Sequence, residues 1–111
     1  METVDPTVPV ALHLYIRVRE GCEAKLMAFL RHARHFYEAP GGIRVRLLRD
    51  ATDPRRFVEI IEYEDEAAFQ QDDHRANTDP TMRRHLDEWR SLLDGEIHVK
   101  KYQELTAELG G

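Results

Sequence analysis

His85 and Trp89 fall on one helical stripe with Met82, Leu86 and Leu93. An imidazole that titrates near neutrality could act there as a catalytic base, in a cavity that the indole helps to wall. The same pair also suits a histidine at the edge of a core, bonded to a carbonyl, with Trp89 as filling. His74 lies beside Asp72, Asp73 and Asn77. It could hold a metal or deliver a proton at a pocket mouth, or simply cap a helix end and complement its dipole. His32 and His35 could share a surface metal, but both flank an apolar stripe and read as exposed. Tyr63 closes a strand and could wall a pocket or anchor the helix that follows. Phe69 on that helix, with Tyr63, Trp89 and His74, completes the candidate ligand-binding set. Cys22 sits on an apolar stripe, which is a core position. No nucleophile triad, glycine-rich phosphate loop or spaced Cys/His set is present, so no metal site is expected.

The elements that must carry these residues can be read from periodicity. Val10, Leu12, Leu14, Ile16 and Val18 alternate with His13, Tyr15, Arg17 and Arg19, which predicts a strand with one apolar face. Cys22, Leu26, Phe29, Leu30, Ala33, Phe36 and Tyr37 recur at helical spacing, and Pro40-Gly41-Gly42 stops that helix. Strands follow around 43–49 and 56–63, joined by the turn sequence "DATDP". Asp65 is an N-cap for a short second helix, which is expected to stop early because Asp72 and Asp73 oppose its dipole. Asp79-Pro80 reads as N-cap and first turn of a third helix, Gly95 ends it, and "EIHVKKYQEL" is a last, polar strand. Residues 1–9 read as a flexible arm, 10–104 as the domain and 105–111 as a frayed tail. The order β-α-β-β-α-α-β predicts an α+β, ferredoxin-like split β-α-β fold with a four-stranded antiparallel sheet and its helices on one face.

For the central hairpin, a register that sets Arg46 opposite Glu59 and Val45 opposite Ile60 pairs opposite charges across the ladder. It places Val58 and Ile60 under the helices. The other face then carries Arg44, Arg46, Leu48, Phe57, Glu59, Ile61 and Tyr63, together with His13, Tyr15 and Arg17. Large apolar groups left bare on a sheet mark a partner surface, and a second copy related by two-fold symmetry is the simplest cover.

The chain has 111 residues, enough for one domain, with 33% charged and 41% apolar residues and a formal charge of -5. Both signs are interspersed, which argues against a general nucleic-acid binder. The single cysteine excludes an intrachain disulfide. The first residues lack a basic n-region and a signal-like apolar run, and nothing approaches the ~20 apolar residues of a membrane span. The expected setting is a reducing cytoplasm.

"PGGIRVRLLRD" followed by "DPRRFVEIIEYEDEAAF" closely resembles the hairpin and second-helix start of antibiotic-biosynthesis monooxygenase domains, which belong to the dimeric α/β-barrel group. The likeness extends to "IRVREGCEAKLMAFL" and "KKYQEL". It implies a homodimer whose sheets face each other. It also implies a cofactor-independent monooxygenase acting on a small phenol or quinol with O₂, or a non-catalytic barrel that binds a small hydrophobic ligand, or a structural or regulatory dimer. On the first reading His85 is the base. The haem-degrading branch would need an asparagine where Leu14 stands and a tryptophan where Asp72 stands; only its histidine has a match, in His85, so the resemblance points away from haem. The family often has Trp at the position of Tyr63, Glu at that of Ile61, and an apolar residue where this chain has Glu59.

Overall fold

Residues 5–110 are described by a computed structural model of the chain. Met1 to Val4 of the expected arm, and Gly111 of the expected tail, lie outside them. The elements follow in the order β1 (Val10–Arg17), α1 (Glu23–Glu38), β2 (Ile43–Arg49), β3 (Arg56–Tyr63), α2 (Glu66–Thr78), α3 (Pro80–Ser91) and β4 (His98–Gln103), with a short 3₁₀ turn at Thr106–Leu109. The strands form one antiparallel sheet in the order β2-β3-β1-β4. Among the described residues no helix is long and apolar enough to cross a membrane.

Local chemistry sets the ends of these elements. The Asp65 carboxylate accepts the Ala68 N–H at 2.8 Å and starts α2. Asp79 closes α2 through its own N–H, which reaches the Arg75 carbonyl, and opens α3 by accepting the Thr81 N–H at 2.8 Å. One residue thus caps two helices. After α1, Gly42 turns the chain with φ +71°, and a side chain there would strike Glu64. The arm is partly tied down, since the Pro6 carbonyl accepts the Glu66 N–H and the Pro9 carbonyl accepts the Glu104 N–H.

α2 does not stop at His74 but runs on to Thr78. Asp72 is buried and bonded to Arg75 and Tyr63, so its charge is taken up by tertiary partners rather than opposing the helix dipole.

The hairpin register differs by one residue from the expected pairing. Arg46 lies opposite Ile60, Leu47 opposite Glu59 and Val45 opposite Ile61. A one-residue slip exchanges the faces of a strand. Phe57, Glu59, Ile61 and Tyr63 therefore turn toward the helices instead of the open face, and Val58 and Ile60 take the open face with Arg44, Arg46, Leu48, His13, Tyr15 and Arg17. The cross-strand ion pair still forms, but with Glu62, whose carboxylate lies 3.8 Å from Arg44 and 3.6 Å from Arg46. The core fills the layer between sheet and helices: Leu14, Ile16, Val18, Val45 and Phe57 pack against Leu26, Leu30 and Ala33 of α1 and Met82 and Trp89 of α3.

Candidate active site

The register places a carboxyl group, Glu59, in the apolar layer at 3% exposure. Trp89, one turn beyond His85 on α3, is itself buried, and its indole N–H donates to Glu59 Oε1 at 3.0 Å. Each group answers the other's need, because a buried indole N–H seeks an acceptor and a buried carboxyl seeks a donor. One donor only partly offsets the loss of water. Burial pushes the Glu59 carboxyl up from 4.5 to about 7, with the Trp89 bond pulling in the opposite direction.

Beside this pair is a cavity of about 420 Å³, roofed by α2 and α3 and floored by the sheet. Leu12, Leu14 and Ile61 form the floor, and Met82, Leu86 and Phe69 are among the apolar groups of the roof. Val99 of β4 lines it while 56% exposed, so the cavity communicates with solvent along that edge. Tyr63 contributes ring and hydroxyl; the hydroxyl donates to Asp72 Oδ2 at 2.6 Å. The other oxygen of Asp72 accepts from Arg75 at 3.0 Å, and Arg75 also donates to the Phe36 and Tyr37 carbonyls, tying α2 to the end of α1. Burial, reinforced by the bond to Asp72, raises the Tyr63 phenol above its ordinary range; burial and the nearby carboxyls do the same for Tyr37.

Of the residues singled out in the sequence, Tyr63, Trp89 and Phe69 meet at this cavity. The Phe69 ring stands edge-on to Tyr63 at 5.4 Å, with Lys101 above it at 3.9 Å. His85 is not brought there. It lies between α1 and α3, stacked on Phe36 at 4.8 Å, with Nδ1 2.8 Å from the Thr81 carbonyl oxygen. That bond and the neighbouring rings of Phe29, Phe36 and Tyr37 give His85 a packing position against α1, outside the cavity lining. His74, His32 and His35 are exposed. Among the described residues no three His, Cys, Asp or Glu side chains group as a metal site. Cys22 precedes α1 and packs at the edge of the core.

Glu59 and Asp72 are the site residues that sequence reasoning placed elsewhere, one on the open face and one at a helix end. The signal that could have found Glu59 is Trp89: a tryptophan at the centre of an apolar stripe requires an acceptor from a facing element.

A model of the family described as antibiotic biosynthesis monooxygenase matches residues 9–79. The chain belongs to this family. Solved structures share its fold. SnoaB, a cofactor-independent oxygenase from Streptomyces nogalater, is 22% identical, with 87% of this chain and 95% of that chain covered and a TM-score of 0.67. A Nitrosomonas europaea protein provisionally assigned to the antibiotic biosynthesis monooxygenases is 16% identical, with 94% and 97% covered and a TM-score of 0.76. PA3566 from Pseudomonas aeruginosa is 21% identical, with 93% and 100% covered and a TM-score of 0.68. No curated protein matches the chain. In this antibiotic biosynthesis monooxygenase domain, the matched segment ends at the α2–α3 junction, so Trp89 lies beyond it.

Proposed function

We propose that the chain is a cofactor-independent monooxygenase that oxidises a small phenol or quinol with O₂ in the cavity beneath α2 and α3. The observation that carries this reading is an apolar cavity of about 420 Å³, within the usual size range of small-molecule sites, whose few polar groups include Glu59 and the Tyr63–Asp72 pair. Such chemistry asks little else of a protein. The reduced aromatic ring supplies the electrons: a phenol and O₂ give a para-quinone and water, with one oxygen atom entering the ring and the other leaving in the water. The chain's tasks are to hold the ring flat between apolar walls, to favour loss of its hydroxyl proton and to keep bulk water away.

The domain works as a homodimer in this reading. The helices cover one face of the sheet only, and the other presents Tyr15, Leu48 and Tyr102 to solvent. A second copy set face to face would cover them.

Oxygen uptake measured with a panel of phenols and hydroquinones tests the activity. At least one should be consumed with one O₂ per quinone formed. Absence of uptake across the panel, with tight binding retained, would replace the oxygenase by a protein that binds a hydrophobic ligand.

A further inference from the structure

We propose that Glu59 is the catalytic base of the cavity, taking the hydroxyl proton of a phenolic substrate on its Oε2 atom. The proposal rests on the oxygenase reading for its substrate class. Trp89 holds Oε1, whereas no hydrogen bond from the described residues reaches Oε2. Glu59 lines the cavity, and Oε2 is not sealed from it: the only fully buried side-chain nitrogen or oxygen without a partner among the described residues is Arg75 Nε. A ligand hydroxyl entering the cavity therefore meets a carboxyl group that is fixed at one oxygen and free at the other.

The competing acceptors are engaged, exposed or absent, Asp73 of the cavity lining being an exposed residue. Asp72 accepts from Tyr63 on one oxygen and from Arg75 on the other. His85 does not line the cavity. The charged or titratable groups facing Glu59's surroundings are Tyr37 from α1, Tyr63 from its own strand, Asp72, Asp73 and Arg75 from α2, and Arg90 from α3. β1 and β2 oppose it with Leu14 and Leu47, and Lys101 of β4 is turned to Glu66. Among the described residues no cation pairs with Glu59, and its carboxyl, raised to about 7, is matched to accepting a proton near neutral pH.

The step balances simply. The O–H bond of the phenol breaks, its proton goes to Oε2, and the electron pair stays on the ring as phenolate. Glu59 becomes neutral, the form its apolar setting favours. The phenolate then passes electrons to O₂, and the carbon–oxygen bond forms. The Glu59 proton goes to the outer peroxide oxygen, and the O–O bond then breaks, releasing hydroxide. The ring carbon gives up its hydrogen as a proton, and the C–H electron pair completes the second carbonyl. The hydroxide and this proton make the water.

Glu59→Gln is the decisive variant, because the Gln carbonyl can still accept the Trp89 N–H while the base is lost. With a phenol that supports uptake, kcat/KM should fall by at least about 100-fold. The wild-type rise of kcat/KM through about pH 7 should disappear in this variant. Trp89→Phe removes the bond that lowers the Glu59 pKa and should move that rise to higher pH. A second readout needs no turnover. 4-Nitrophenol bound at pH 7.5, where Glu59 is mostly ionised, should show a larger phenolate fraction in the wild type than in Glu59→Gln. Wild-type kcat/KM and pH profile in Glu59→Gln, or equal ionisation of the bound probe in both proteins, would overturn the assignment. Absence of O₂ uptake with every phenol would remove the oxygenase reading, while the probe spectra would still decide whether Glu59 takes a phenolic proton.

Discussion

Glu59 departs from the rule that carboxylates stay in water, and the departure has a measurable cost. In the unfolded chain its carboxyl ionises near 4.5, whereas in the folded chain it holds its proton to about 7. Between those values the folded state binds more protons than the unfolded one, so rising pH favours unfolding. The loss is complete above the folded value and amounts to roughly 3 kcal/mol. Glutamine does not titrate. Glu59→Gln should therefore match the wild type in stability below about pH 4.5 and exceed it by roughly 3 kcal/mol at pH 8. Urea unfolding across this range measures the difference; a gap that stays constant with pH would mean that the carboxyl is already ionised in the fold. A group that destabilises the fold at neutral pH and faces a cavity is a functional candidate on physical grounds.

At the scale of elements, most of the architecture was legible. Alternation predicted β1, the Pro-Gly-Gly stop predicted the end of α1, and Asp65 and Asp79-Pro80 predicted two helix starts, each from chemistry confined to a few neighbouring residues. Asp79→Ala should test this local logic. It removes the donor-satisfying carboxylate at the start of α3 and should lower stability by about 1 kcal/mol, more if the α2–α3 corner loosens with it. A thermal melt with no change would show that the corner is held by packing instead. The register of β2 against β3 was not legible. Both candidate registers put an arginine near a carboxylate, and the structure uses Glu62 rather than Glu59. Pairing charges across a ladder is worth only about 0.2–1 kcal/mol, too little to outweigh the packing of Phe57 and Ile61 against the helices.

For the whole molecule, the open sheet face sets the expected assembly. Sedimentation equilibrium should return twice the 13.0 kDa chain mass at micromolar concentration, and Leu48→Glu, on that face and 47% exposed, should shift it toward the single chain. A stable single chain in the wild type would refute face-to-face pairing. The cavity lies on the opposite side of the sheet from that face.

The sequence by itself determined the order of the strands and helices, most of their ends though not that of α2, the ferredoxin-like arrangement and the family likeness. These rest on periodicity, caps and turns, which act over a few residues. Only the tertiary structure decided which face of β3 carries Glu59, and with it where the cavity finds its carboxyl. A strand alternates with period two, so either face is locally acceptable for β3. The tie is broken by contacts far along the chain: the Trp89 indole N–H meeting Glu59 across the core, and Phe57 and Ile61 packing beneath the helices.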